Sequence, residues 1–250
     1  MKKTVFAALL AMIMLACAAA LADGMVTVEL SDAGCTSAGS GVTVTSRGVK
    51  ITAPGDYLLA GSLSDGQVEV DCASDGRVTL YLNGVTIHNS TGPAILVGEC
   101  SPRLVISLVE GTENTLSDGT NLVFTDGDEP NGVIFSKSDL TIEGSGALTV
   151  TSGALDGIVS KDDLKIKAGR ITVNAARHGV KGKDFVEVSG GTLTVTAGKD
   201  GIKSTNKDDP DRGYIALTGG YITLRCADDA LSFVTTCTVE DATLKMEMMQ

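Results

Sequence analysis

The sequence predicts an all-β, single-stranded parallel β-helix with three short strands per coil. Three observations carry that expectation. A unit of 22–29 residues recurs along the chain. Each unit holds three short runs of alternating apolar and polar residues, the pattern of strands with one buried face. Glycine pairs and Lys-Asp-Asp stretches fall between the runs, which is turn chemistry.

The units begin at Val133, Gly157, Gly179, Gly201 and Ala230, so their spacings are 24, 22, 22 and 29 residues. In the second unit the three runs are residues 157–160, 164–167 and 170–173. Three strands and three turns in about 22 residues fit one coil, with coils stacked at about 4.8 Å. The repeat is too short for a pair of helices, and it lacks the leucine-rich-repeat pattern. The long unit equals 22 residues plus a seven-residue insertion around 206–212, which must lie in a turn because strands have to keep register with their neighbours. Residues 66–130 follow the same plan less regularly, and 42–63 are expected as entry coils or a cap. The last residues form no obvious cap, so the expectation is that either the chain is cut short or a partner covers that end, since an uncovered end would be an aggregation edge.

The expected organisation is therefore a signal peptide over 1–22, an N-terminal linker over 23–41 and a β-helix domain over 42–250. Lys2 and Lys3 form a basic start, an apolar run follows, and Ala20, Leu21 and Ala22 make a small-x-small cleavage site. Cys17 offers a second reading, an imperfect lipobox leading to lipidation. Either way the expected location is extracellular or at the cell surface, and no later segment is long and apolar enough to span a bilayer.

Composition excludes several classes. The 250 residues include 30 Gly, 5 Pro and no Trp, with 4% aromatic and 43% hydrophobic residues, so a core is expected and disorder is not. Twenty basic residues against 31 acidic give −11, or −13 without Lys2 and Lys3. Such a chain should not bind nucleic acid through its global field, nor a polyanion unless a cation bridges the two. Without Trp, a flat aromatic platform for crystalline sugar chains is disfavoured. No C-x-x-C zinc pattern occurs among Cys35, Cys72, Cys100, Cys226 and Cys237. They read as buried inert thiols, with Cys72 and Cys100 at similar places in successive units and so able to pair. No nucleophile elbow, phosphate loop or dinucleotide fingerprint is present.

In stacked coils equivalent residues lie one above another, so chemistry is read by column. Column one is Gly132, Asp156, His178, Asp200 and Asp229, with Asp228 beside the last. Column two is Ser138, Asp162 and Asp184, with Asp139 and Asp163 one place on. Carboxylates stacked at about 5 Å repel and raise one another's pKa. A hard cation relieves that repulsion, and calcium suits carboxylate-rich turns. Asx turns are the plainer use of the same residues. Column three is Lys137, Lys161 and Lys183, and Lys181 and Lys203 lie two places earlier in their coils. These lysines either neutralise neighbouring Asp residues or contact a uronate carboxylate. No lysine stands out as a catalytic base. Asn83 and Asn114 are expected to bond to backbone at turns.

The strings GTENTLSDG from Gly111, DEPN from Asp128, IFSKSDLTIEGSG from Ile134, DGIVSKDDL from Asp156 and DGIKSTN from Asp200 together resemble a family. It consists of secreted bacterial proteins described as carbohydrate-binding domain-containing, and the likeness runs from about residue 50 to 240. The resemblance implies a right-handed parallel β-helix with bound calcium. It implies binding of acidic plant polysaccharide such as polygalacturonate, with cellulose as a further ligand, and no cleavage. The implied fold is similar to that of calcium-dependent pectate lyases. Asp156-Gly157 with Lys161, and Asp228-Asp229, look like the elements around the lyase calcium. Ala230 and Ser232 depart from that pattern, and His178 stands where an Asp is expected. Three functions follow: a non-catalytic calcium-dependent binding module, a pectate lyase-like enzyme, and a surface structural or adhesion protein.

Overall fold

Alternating burial runs through many strands of the protein, whereas Gly132–Ser136 and Asp156–Ser160 are buried at every position. In Arg170–Ala175, for example, Ile171, Val173 and Ala175 are buried while Arg170 and Asn174 face solvent. This computed structural model describes residues 24–249 apart from 73, 75, 101–102 and 125–128. The expected signal segment and Cys17 lie outside the described residues.

The strands follow in chain order. First come β1 (Val26–Leu30), β2 (Thr36–Ala38), β3 (Val42–Thr45), β4 (Gly48–Ile51), β5 (Gly55–Leu63), β6 (Gln67–Cys72) and β7 (Val78–Asn89). Then come β8 (Ile95–Cys100), β9 (Arg103–Leu108), β10 (Glu113–Asp118), β11 (Gly132–Ser136), β12 (Asp139–Gly144) and β13 (Ala147–Thr151). They continue with β14 (Asp156–Ser160), β15 (Asp163–Ile166), β16 (Arg170–Ala175), β17 (Val180–Gly182), β18 (Phe185–Val188) and β19 (Thr192–Ala197). The last are β20 (Ile202–Ser204), β21 (Tyr214–Leu217), β22 (Tyr221–Cys226), β23 (Leu231–Ser232), β24 (Cys237–Val239) and β25 (Thr243–Met248).

The expected single-stranded β-helix, with three separate strands per coil, is not what forms. The protein is all-β, but its strands, mostly parallel, make two large sheets of sixteen and nine strands. Each repeat adds one strand to the nine-stranded sheet and two to the sixteen-stranded sheet. The two arms of the larger sheet join through β7, whose first half pairs with β9 and whose second half pairs with β10. The inward positions change phase there, from Leu80 and Leu82 to Val85 and Ile87. Gly84 takes φ +75 at the bend, a conformation that glycine adopts without strain. Asn114 Oδ1 accepts the backbone N–H groups of Gly84 at 2.9 Å and Val85 at 3.0 Å, so the bend leaves no buried donor unpaired. The repeat pattern could not reveal this, because the joining strand lies upstream of the regular units.

The segment expected as a linker also takes part in the fold. β1 pairs in parallel with β5 and antiparallel with β2, and Val28 and Leu30 are buried. An antiparallel pair, β3 with β4, closes the same end of the nine-stranded sheet. Between the sheets one continuous core stacks like on like. Ile134, Ile158, Val180 and Ile202 form one row, and Leu148, Ile171, Leu193 and Ile222 form another. Each such side chain contributes about 1.5–3 kcal/mol over an exposed one, which makes this stack the main source of stability. Cys72 and Cys226 are free thiols buried in that core, and Cys72 stands in register with Cys100. Burial, with Asp200 adding to it, pushes the Cys226 thiol up to about 11, which keeps it inert.

Candidate functional site

Column one forms as a linked file at the entry to the nine-stranded sheet. Asp156 Oδ1 accepts the backbone N–H of His178 at 3.1 Å, and Asp200 Oδ1 accepts that of Asp229 at 3.3 Å. His178 Nδ1 lies 3.4 Å from the Asp200 N and 3.2 Å from Asp200 Oδ2. Its tautomer selects between accepting the first and donating to the second. Each residue thus caps the next repeat. The glycine that follows each is required by space: a Cβ on Gly157 would stand 2.7 Å from the Gly179 carbonyl oxygen and would overlap Val173. Gly179 and Gly201 meet the same obstacle one and two repeats on.

These carboxylates carry their own counter-charges. Asp156 is fully buried, with Lys181 Nζ at 3.5 Å and Arg177 Nε at 3.9 Å. Asp200 receives a hydrogen bond from Lys203 Nζ at 2.6 Å. Burial works to raise the Asp200 carboxyl, but Lys203 outweighs it and the pKa lies below the usual carboxylate range. Burial lowers the His178 pKa, against the opposing pull of Asp156, so the ring is neutral at neutral pH. The exposed Asp228 and Asp229 bring carboxylate oxygens within 4.8 Å of each other and of Asp200.

Column two lies at the other edge of the same strands. Ser160 Oγ shapes its turn, donating to the Ser138 carbonyl at 3.0 Å and accepting the Asp162 N–H at 3.1 Å. Carboxylate oxygens of Asp139, Asp162 and Asp163 lie within 4.8 Å of one another. Burial raises Asp162 first, then a hydrogen bond shared with Asp184 and repulsion from Asp139, Asp184 and Asp163, to about 6. Asp139 is raised too, by burial and then by Asp163.

A feature missed in the sequence partly answers this repulsion. The insertion at 206–212 folds back over column two. Asn206 Nδ2 donates to Asp184 Oδ1 at 2.6 Å, and Asn206 Oδ1 accepts the N–H groups of Asp208 and Asp209, which closes the turn. Arg212 then reaches Asp163 at 2.8 Å and Asp184 at 3.6 Å. Its guanidinium lies 5.8 Å from the centre of the Phe185 ring, which stacks on Tyr214 with centroids 4.7 Å apart. The available signal was the one arginine of an insertion that also holds Lys207 and three Asp residues. The pairing itself joins residues 49 apart, which no repeat register predicts.

The predicted lysines divide into two groups. Lys137, Lys161 and Lys183 are exposed at the column-two turn, and Lys161 pairs with Glu129. Lys181 and Lys203 stand side by side on β17 and β20. They belong to an outward row that runs the length of the nine-stranded sheet: Lys50, Glu69, Leu96, Phe135, Val159, Lys181, Lys203. Phe135 and Val159 are covered, whereas Lys181 and Lys203 keep 22% and 26% of their side chains exposed. Both columns flank this row, about 20 Å apart at about 3.3 Å per residue. Toward the N-terminal end a cavity of about 250 Å³ opens on the same face, beside Arg47, Gln67, Glu69, Asn89, Thr91 and Leu96.

The structure therefore brings the predicted residues together in two sets. Asp139, Asp162, Asp163 and Asp184 share one edge, and Asp200, Asp228 and Asp229 the other. Asp156 stands apart from both clusters, enclosed by basic partners. Column two fits a hard cation better than column one. Its Asp139 and Asp162 are half-buried and carry no ion pair among the described residues, whereas Asp228 and Asp229, equally unpaired, are exposed beside an Asp200 already neutralised by Lys203.

The sheets and the carboxylate edges define an all-β protein in which two acidic edges flank one face of the nine-stranded sheet. Residues 45–250 match the family model described as carbohydrate-binding domain-containing protein, and the chain belongs to that family. A relative of that description from Acetivibrio thermocellus is 44% identical over 210 residues, spanning 83% of this chain and 73% of that protein. A solved structure described as a polysaccharide lyase-like protein from C. thermocellum, in its gadolinium derivative, superposes with a TM-score of 0.78. It is 34% identical and covers 90% of this chain and 97% of that one.

Proposed function

We propose that this protein is a secreted, non-catalytic binding module that holds acidic plant polysaccharide of the polygalacturonate type with the help of calcium. The ligand lies along the outer face of the nine-stranded sheet. The family supports a carbohydrate ligand, and the lyase-like neighbour supports a polymer. One observation carries the calcium dependence: Asp139, Asp162 and Asp163 crowd together while only Asp163 has a cationic partner. Asp139, Asp162 and Asp163 would hold the ion, with Asp184 beside them. When bound, calcium joins protein carboxylates to a uronate carboxylate, which an acidic protein cannot otherwise approach.

Lys181 and Lys203, on the third and second strands from the C-terminal edge of the nine-stranded sheet, orient the chain of sugars there. Binding is favoured over cleavage for a physical reason. Lys181 and Lys203 are both tied to carboxylates, at 3.5 and 2.6 Å, so neither Nζ stands free to reach a substrate proton. A location outside the cytoplasm accords with the opening of the sequence. Among the described residues no helix is long and apolar enough to cross a membrane.

Native gels containing polygalacturonate, run with calcium and then with a chelator, test the proposal. Retardation in calcium alone is expected, with its loss in Asp162→Asn and Asp139→Asn. Equal mobility in all lanes would overturn uronate binding. Retardation that survives both the chelator and the two substitutions would overturn the role of calcium.

A further inference from the structure

The walls of the cavity beside Arg47 and Gln67, on the outer face of the nine-stranded sheet, are fixed by a hydrogen-bond network around Asn89. Asn89 is 3% exposed. Its Nδ2 donates to the Pro93 carbonyl at 2.7 Å, and its Oδ1 accepts Arg47 Nη2 at 3.1 Å and the Thr91 N–H at 3.2 Å. Gln67 Nε2 donates to the same Pro93 carbonyl at 2.8 Å, and Arg47 Nη1 donates to Thr91 Oγ1 at 3.1 Å. What the network leaves unused is a mixed set of donors and acceptors. Among the described residues Gln67 Oε1 and Glu69 Oε2 accept no hydrogen bond, and Gln67 Nε2 and Arg47 Nη1 each keep one N–H. Pro93, Leu96, Val123 and Pro130 add an apolar wall.

We infer that this cavity is a subsite for one neutral sugar ring, a chain end or a side branch, bound without calcium. The inference rests on the carbohydrate part of the proposed function, and not on its uronate or its calcium. Donors and acceptors side by side match hydroxyl groups, each of which both donates and accepts. The apolar wall suits the C–H face of a pyranose, the usual division of labour in a small-molecule pocket. The volume of about 250 Å³ lies below the roughly 300–1,000 Å³ of drug-sized sites and has room for one ring. Charge disfavours an acidic sugar. Arg47, the one basic residue of the lining, is neutralised by Asp65 at 2.6 Å. Lys50 is shared between Glu69 at 3.0 Å and Asp71 at 2.6 Å. Two cations thus face three carboxylates, and a uronate would add a fourth. Leu96 of the lining is on β8, and Lys181 is on β17, three strand spacings or about 14 Å away, so one polymer can reach both.

The test is saturation-transfer NMR on the whole chain in chelator, with methyl β-glucoside, methyl β-galactoside and methyl β-xyloside as neutral probes and galacturonate as the acidic one. Transfer to at least one neutral glycoside is expected, and none to galacturonate. Glu69→Ala and Gln67→Ala each remove unused polar groups of the cavity, and each should raise the Kd about five- to tenfold. Lys50 keeps Asp71 in the first variant, and unchanged circular dichroism shows that the fold is retained in both. Asp162→Asn should leave the neutral signal as it is while abolishing retardation by polygalacturonate in calcium. The two readings therefore fail separately: neutral transfer in a protein that polygalacturonate never retards removes the uronate ligand and keeps this subsite. Absence of transfer to all the neutral glycosides would overturn the subsite, as would a requirement for calcium, displacement by galacturonate, or a signal that neither cavity substitution weakens.

Discussion

The two acidic columns flank the same strands about 20 Å apart, and they solve the same electrostatic problem differently. Column one spreads its compensation along the file: Lys181 serves Asp156, Lys203 serves Asp200, and each side chain caps the backbone of the next repeat. Column two draws its compensation from Arg212, which arrives from an insertion and reaches Asp163 and Asp184, and from Lys165, 3.4 Å from Asp163. Column one is therefore part of the fold's framework. Column two is left with half-buried excess negative charge at Asp139 and Asp162, where the unpaired acids of column one, Asp228 and Asp229, are exposed to solvent, and half-buried excess charge is what a cation can use.

The strongest way to break the comparison is at Asp156. Asp156→Ala removes a fully buried acceptor and leaves Lys181, Arg177 and the His178 N–H without their partner. A loss of about 3 kcal/mol is expected, or about 6–12 °C in the calorimetric Tm, with no recovery in calcium. Arg212→Ala strikes column two instead. It should cost about 1 kcal/mol in chelator, and calcium should recover most of that loss, because the ion takes over the neutralisation. Titration calorimetry on that variant should show tighter calcium binding than in wild type. An Arg212→Ala loss that calcium leaves untouched would remove the distinction between the columns.

Protonation sharpens the contrast, since the two columns respond to acid with opposite sign. The Asp162 pKa in the folded protein, about 6, lies above its ordinary 3.8. The folded state then holds the proton more tightly than the unfolded state. Its penalty is absent below about pH 4 and complete above about pH 6. Asp162→Asn should accordingly raise the Tm at pH 7 in chelator, and the gain should vanish at pH 4. His178 is shifted down from 6.5 by burial, so it contributes stability above that value that is lost as the pH falls through its depressed pKa. His178→Gln should flatten that acid limb of the Tm profile, the smallest of these effects.

Much of the site was legible in the sequence. The alignment that stacked Asp156, His178, Asp200 and Asp229 is the register the strands adopt, and the Asp-Gly pairs were visible as motifs. Arg212 was not legible as a partner of Asp163, because the contact spans an insertion that has no counterpart in the other repeats. The fold was legible as all-β with parallel repeats, but not as two sheets. The phase change at Gly84 looks locally like a turn, whereas the hydrogen bonds from Asn114 let one strand continue through it. The segment 23–41 looked like a linker because its strands are short, and only the burial of its Val28 and Leu30 shows it to be part of the core.

By itself the sequence determined what periodicity can encode: which side chains point inward, which residues stack, and where glycine must follow an acid. Those are relations between a residue and its equivalent one repeat away, fixed by strand spacing and by the space available to a Cβ. Only the tertiary structure decided which charges are neutralised and which faces merge. Those outcomes depend on contacts between segments that differ from one another, and packing, not periodicity, selects among them.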